Sequence, residues 1–345
     1  MEPHLEFGRE IMDIKMISFC SQYRRKQKSN LVYAKFIMLC GKQTSNSLDN
    51  RKHTNNILSK RKDVFTIYSE EVFSILNPNH KIDLLKFEEL LVEISDGVIL
   101  FLESMGTAAE LGAFAYLDVL AQKTLVFCDS KFEKDQSFIN GGPLKRIIEF
   151  SDVEQNLGGV VYTKFLENQN IDFGSSDIYP KIISFANKKT ISISVENLSI
   201  DTELREISIK PQLLVHYLID VIFVFEIVKR SEIYEILSLL LTKSNYKFKI
   251  KFESLNKFNS AALKEYFIDL LIKWKIVMET PISTDNDSIL EINFESIDSR
   301  SVISKSLGKA LFTNSLFESK EFLFHKANLM KNNKRKFGKY YGKQI

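Results

Sequence analysis

Three carboxylates, Asp96, Glu103 and Glu110, bracket one short apolar run and the loop behind it, in the string SDGVILFLESMGTAAELGAFA. This grouping suits cleavage at an anomeric carbon, where the transition state resembles an oxocarbenium ion. A positioned carboxylate can attack that carbon or stabilise its positive charge. Glu110 is the candidate for the role. The leaving group decides what else is needed. Nicotinamide departs from NAD as a neutral molecule from a cationic pyridinium and requires no general acid. A purine or pyrimidine leaves well only when protonated, which calls for a second acid. Asp96 and Glu103 are candidates for that task or for holding ribose hydroxyls.

Each of these residues also has a structural reading. Thr107-Ala108-Ala109-Glu110 fits a capping box in which Thr107 bonds the amide of Glu110 and Glu110 reaches back to the amide of Thr107. Asp96 fits a strand start or turn, and Glu103 a solvated loop charge. Gly106 leaves space for a ligand at a helix N-terminus, where the dipole and free amides favour anions. No GxGxxG, Walker, HExxH or GxSxG string is present, so dinucleotide redox chemistry, P-loop hydrolysis, zinc proteolysis and the hydrolase elbow lack their usual supports.

The elements that must position the acids read as alternating strands and helices. Gly97 to Leu102 is an apolar strand, Glu103 to Thr107 a loop, and Ala108 onward a helix with Leu111, Phe114, Leu117 and Leu120 at helical spacing. Leu31 to Cys40 is the first strand, and Gly41 follows it where a first βα loop approaches a ligand. Lys42 to Lys62 reads as a loop and a surface helix. Asp63 to Tyr68, Lys123 to Cys128 and Gly159 to Tyr162 supply further strands. Leu84 to Ile94 is an amphipathic helix, and Gly142-Pro143 opens a short one. The alternation predicts a parallel α/β sheet with helices on both faces. Residues 166–205 read as a linker, with a strand over Thr190 to Val195. Pro211 to Arg230 then forms a long apolar helix, and Ser231 and Ser260 cap two more. Lys275 to Glu279 and Ile289 to Phe294 alternate like a β-ribbon. Three helices followed by a ribbon outline a winged helix-turn-helix module. Its third helix offers only Lys264 and Lys273 as bases, with Glu265 and Asp269 beside them, a poor face for reading base edges.

A chain of 345 residues accommodates two domains, and a net charge of +3 confines nucleic-acid binding to local patches. The divisions expected are an arm over 1–30, an α/β domain over 31–165, the linker over 166–205, a winged-helix domain over 206–325 and a basic tail over 326–345. The tail carries Lys331, Lys334, Arg335, Lys336 and Lys339, interleaved with Phe337, Tyr340 and Tyr341. Such residues neutralise phosphates and stack on exposed bases; a solvated tail is the alternative. Three cysteines without CxxC spacing point to a reducing cytoplasm and away from a disulfide scaffold or zinc site. The apolar run Leu213 to Val228 contains His216, Asp220 and Glu226, so a buried helix is expected rather than a membrane span.

The strings FIMLCGK, TIYSEEVF, ILFLESMGTAAELGAFA, KTLVFCDSKF and SFINGGPLKRIIEF together resemble the nucleoside deoxyribosyltransferase-like effectors encoded beside bacterial retrons. The likeness covers about residues 33–150; the C-terminal half is similar in layout rather than in letters. It implies a flavodoxin/Rossmann-like domain joined to a winged helix. It also implies N-glycosidase activity on NAD or a nucleotide, with no cofactor and no bound metal. Partners implied are the retron reverse transcriptase and its RNA–DNA hybrid (msDNA), which hold the effector inactive until phage infection; a homo-oligomer is a further expectation. By the same resemblance Glu110 falls on the catalytic glutamate. Asp96, Gly41, Glu103, Ser104, Gly106 and Thr107 fall on sugar-side positions, and Asn140 lines the pocket within the SFINGGP segment. Met105 replaces the family's usual proline and Thr107 its serine. Further carboxylates of true transferases are absent from the loop, which favours hydrolysis over base transfer. The competing function is a non-catalytic nucleotide sensor whose winged helix binds DNA.

Overall fold

The fold is taken from a computed structural model that describes residues 35–42, 49–61, 64–70, 84–151, 158–166, 170–174, 177–187, 198–225, 228–242, 246–252, 260–282 and 287–293. The N-terminal arm, the strand expected at Thr190 to Val195 and the basic tail from Lys326 lie outside these residues. The chain divides into two units, one built on Ala34–Ser192 and the other on Ile193–Lys251 with the segment from Asn259 onward.

The first unit is a five-stranded parallel sheet in the order β2-β1-β3-β4-β5. Its strands are β1 (Lys35–Cys40), β2 (Val64–Ile67), β3 (Gly97–Phe101), β4 (Thr124–Asp129) and β5 (Gly159–Thr163). Between them run α1 (Asn50–Leu58), α2 (Leu84–Ile94), α3 (Met105–Tyr116), the single turn α4 (Asp118–Ala121) and α5 (Lys145–Ser151); α6 (Ile178–Asn187) follows β5. β1 to β4 are almost wholly buried, as parallel strands covered on both faces must be. Side chains alternate between the faces. Ile37, Leu39, Ile99, Phe101, Leu125 and Phe127 join Leu58 of α1 and Ile178, Ile182 and Phe185 of α6 in one core. Met38, Cys40, Val98 and Leu100 are buried on the opposite side, where α2 and α3 pack on β1 and β3. Gly97 is required at the start of β3, because a Cβ there would lie 2.7 Å from the Phe185 ring.

Two expectations change. The unit reaches Ser192 and includes α6, so its end is not at 165. The segment after β5 lacks strong helix signals because α6 is short and is held by burial of Ile178, Ile182 and Phe185 rather than by local propensity. α1 is not a plain surface helix either. Asn50, Arg51, Thr54 and Leu58 are buried, so it turns polar side chains inward.

The second unit contains β6 (Leu198–Asp201), β7 (Glu206–Ile209), α7 (Pro211–Phe225), β8 (Val228–Lys229), α8 (Ile233–Thr242), β9 (Lys247–Ile250), α9 (Ser260–Lys273), β10 (Val277–Pro281) and β11 (Ser288–Ile292). Two three-stranded sheets form, β10-β11-β8 and β6-β7-β9. α7 ends at Phe225, short of the expected Arg230, because Val228 and Lys229 leave the helix to pair with β11. Arg230 then ties the unit together, donating to Glu265 at 2.8 Å, Asp269 at 2.5 Å and Glu279 at 3.0 Å. Among the described residues no helix is long and apolar enough to cross a membrane.

Candidate active site

The strand order reverses between β1 and β3, since the chain leaves β1 toward β2 on one side and β3 toward β4 on the other. Open α/β sheets bind ligands in the crevice outside the carboxyl ends of the strands at such a switch point. Here those ends supply Cys40 and Gly41 from β1, Tyr68 to Glu70 from β2 and Glu103 from β3. Glu110 approaches from α3, Glu88 from α2 and Arg51 from α1.

The helix carrying Glu110 begins earlier than the sequence suggests. Ser104 is its N-cap, in extended backbone at φ −152° and ψ 167°. The Ser104 hydroxyl accepts from the Thr107 amide at 3.2 Å, and the Thr107 hydroxyl accepts from the Ser104 amide at 3.0 Å and the Glu103 amide at 3.1 Å. The capping box is therefore Ser104 with Thr107, not Thr107 with Glu110. Met105 to Thr107 thus form the first turn of the helix, and Glu103 lies just before the cap. This frees Glu110 from capping and points it at the sheet. One of its oxygens is buried and meets no hydrogen-bond partner. Burial and the neighbouring Glu88 and Glu70 carboxylates push its pKa up to about 8, against the pull of Arg51 and a hydrogen bond with the Cys40 thiol. Glu88, buried and accepting from the Ser69 hydroxyl at 3.1 Å, is raised to about 7, chiefly by burial.

Glu103 closes the crevice. One carboxylate oxygen accepts from the Lys42 amide and the other from the Asn50 side-chain amide at 2.5 Å. Asn50 in turn accepts from the Ile171 amide at 2.7 Å, so a single buried side chain joins β3, α1 and the segment after β5. Gly41 makes the approach feasible. A Cβ at Gly41 would lie 2.9 Å from the Glu103 carboxylate and 3.0 Å from Arg51 Cγ. Gly41→Ala is therefore expected to push Glu103 and Arg51 off their positions and to lower the melting temperature by several degrees. A melting curve checks it; an unchanged midpoint would show that the contact has no role.

The remaining expected site residues are placed as follows. Asp96 precedes β3 and so lies at the amino end of the sheet, where its carboxylate accepts from the Phe36 amide at 2.7 Å. The structure does not bring it to Glu110; it pins the start of β1. Gly106 sits exposed in the first turn of α3. The Asn140 side chain donates to the carbonyls of Phe132 at 2.6 Å and Asp135 at 2.8 Å, which shapes the segment after β4. Lys331, Lys334, Arg335, Lys336 and Lys339 lie outside the described residues. Asn50, Arg51, Glu70 and Glu88 were not anticipated. For Glu70 a signal existed, since it follows directly on a strand that ends at the ligand side of a parallel sheet. Glu88 reads only as a surface charge on an amphipathic helix.

A flavodoxin-ordered parallel sheet with carboxylates gathered at its switch point fits the Rossmann-like class of α/β domain. The chain belongs to the STM3845 retron effector family, whose model matches residues 47–278. It is similar to the Escherichia coli "Retron Ec86 putative ribosyltransferase/DNA-binding protein", 37% identical over 116 residues, which is 33% of this chain and 38% of that protein. It is also similar to the Escherichia coli "Retron Ec73 putative ribosyltransferase/DNA-binding protein", 28% identical over 241 residues, covering 67% of this chain and 74% of that one.

Proposed function

We propose that this retron effector is an N-glycosidase that cleaves NAD, or a nucleotide, with Glu110 as the group that meets the anomeric carbon. The observation that carries the reading is Glu110 itself: a half-buried carboxylate, released from capping, with one buried and unpartnered oxygen at the switch point of the sheet. The ribosyltransferase in the relatives' names supports chemistry at the same carbon. In the reaction the bond between the anomeric carbon and the base nitrogen breaks, and its electron pair leaves with the base. Ionised Glu110 stabilises the positive charge or bonds the carbon transiently; a water oxygen then bonds to the anomeric carbon, and any bond to Glu110 breaks with its electron pair returning to the carboxylate. The water proton passes to a neighbouring carboxylate, for which Glu88 is the candidate.

Electrostatics favour NAD among the substrates. Glu70, Glu88 and Glu110 share one site with Arg51, whose charge is already engaged by Glu70. A cationic pyridinium ring beside Glu110 would supply the missing positive charge and promote ionisation of Glu110. A pH experiment follows. The acidic limb of kcat/KM reports the free enzyme and is expected near the Glu110 value of about 8. The limb of kcat reports the complex and should fall at lower pH with NAD, but not with a neutral nucleoside. Coincident limbs for NAD would contradict the pyridinium assignment.

The second unit fits the winged helix. The order α7, β8, α8, β9, α9, β10, β11, with β11 between β8 and β10, supports it, β9 being set apart to pair with β7. Glu265 and Asp269 of α9 are held by Arg230, which makes this face ill-suited to DNA phosphates. The DNA-binding part of the relatives' names is therefore better matched by the Lys/Arg-rich tail, and the retron reverse transcriptase with its msDNA is the proposed partner. The reading is tested by incubating the purified chain, free of partners, with NAD and with nucleotides and identifying the released base. The absence of any base release would favour the nucleotide-sensing regulator.

A further inference from the structure

The residues on the two faces of β1 meet over its carboxyl end. Cys40 contacts Glu110 on the α3 side, and the next residue, Gly41, lies against the Arg51 stem on the α1 side. Arg51 is buried, its guanidinium ion-paired with Glu70 and lying 5.4 Å over the Tyr68 ring, while its Nε meets no partner. It is thus fixed within the crevice by packing, not by solvent. The groups facing Glu110 from the elements packed around it are Glu88 on α2, Glu70 after β2, Cys40 on β1 and Arg51 on α1; the Ser69 hydroxyl links Glu88 at 3.1 Å and Glu70 at 3.3 Å, and Glu70 pairs with Arg51, so they form one cluster. Arg51 is the cation of that set, and Glu70 both occupies it and opposes Glu110.

Resting on the glycosidase reading above, we propose that Arg51 is the positioning residue that lets Glu110 carry a negative charge, and that Glu70 sets how much of the Arg51 charge reaches it. The pair works as a two-part control. Arg51 favours the carboxylate needed at the anomeric carbon, and Glu70 holds the guanidinium at a fixed place and tempers its field. A purely structural Arg51 would support the crevice without moving the ionisation of Glu110.

The test uses the full chain and two readouts. One is the acidic limb of kcat/KM for nicotinamide release. The other needs no catalysis: the melting-temperature difference between each background and the same background carrying Glu110→Gln, followed against pH, whose upper break marks where folded Glu110 ionises. In Arg51→Met both features should move to higher pH by about one unit or more. In Glu70→Gln both should move to lower pH, and Arg51→Lys should return them toward the wild-type position. Opposite shifts support the proposal. Unmoved limbs and breaks, or shifts of the same sign in Arg51→Met and Glu70→Gln, overturn it. If Arg51→Met does not fold, Glu70→Gln alone decides: an unmoved or upward break overturns the proposal. A chain that releases no base but shows the opposite shifts of the break would retire the glycosidase reading and leave the control of Glu110 standing.

Discussion

Replacing Glu110 with glutamine is expected to abolish base release and, at the same time, to stabilise the protein. The two effects share one cause. A carboxyl whose value rises from 4.5 to about 8 on folding is held where its charged form is disfavoured. Below about pH 4.5 the group is protonated in both states and carries no penalty. Between 4.5 and about 8 the folded state keeps a proton that the unfolded state gives up, so stability falls as the pH rises. Above that window the penalty is complete. The full shift would correspond to at most about 5 kcal/mol; with Glu88 carrying part of the proton, about 2–3 kcal/mol is expected. Glutamine fills nearly the same volume and has no charge to penalise. Glu110→Gln should therefore melt several degrees higher than wild type at about pH 8.5, with little difference at about pH 5. Equal melting at both would show that Glu110 is not buried as described. Loss of the nucleophile or charge stabiliser should reduce turnover by about a thousandfold or more. A stabilising substitution that destroys activity is the signature of a strained functional group.

The second large effect is expected at Asn50. Its amide donates to Glu103 and its carbonyl accepts from Ile171, and the side chain is fully buried. Asn50→Asp keeps the shape and the acceptor but removes the donor. It places a second carboxylate against Glu103, whose value is already raised by burial. Leaving a buried charge beside a like charge, with a hydrogen bond lost, is expected to cost about 2–4 kcal/mol at neutral pH. The cost should shrink in acid, where one of the two carboxyls takes a proton and can donate again. Urea midpoints at neutral and acidic pH check this. A midpoint equal to wild type at neutral pH would mean that Asn50 does not hold the crevice.

Much of the fold was legible because its signals are local. Apolar runs at Gly97 to Phe101 and Thr124 to Asp129 are too short for buried helices and read as strands buried on both faces, and the helices between them follow from spacing. The segments that resisted were those whose structure depends on distant partners. α1 has the composition of a surface helix, and only its place over the end of β1 turns Asn50 and Arg51 inward. Glu110 stands out by its position after a strand and a glycine-containing turn, yet the helix cap lies at Ser104, three residues before Thr107. Ser104 and Thr107 are both competent N-caps, and the extended backbone of Ser104 decides between them. Asp96 illustrates a different limit. Adjacency in sequence to β3 placed it near the site, but a residue that precedes a parallel strand lies at the opposite end from one that follows it. Glu70 and Glu88 come from elements 40 and 22 positions before Glu110. Only the sheet order, which sets β2, β1 and β3 side by side, brings them together.

Glu110 acting at an anomeric carbon is the central claim. The most direct measurement is chromatography of NAD incubated with the purified chain and, in parallel, with its Glu110→Gln variant at about pH 8. Free nicotinamide from the wild type and none from a variant that melts higher is the expected result. Nicotinamide released equally by both proteins would contradict the central claim.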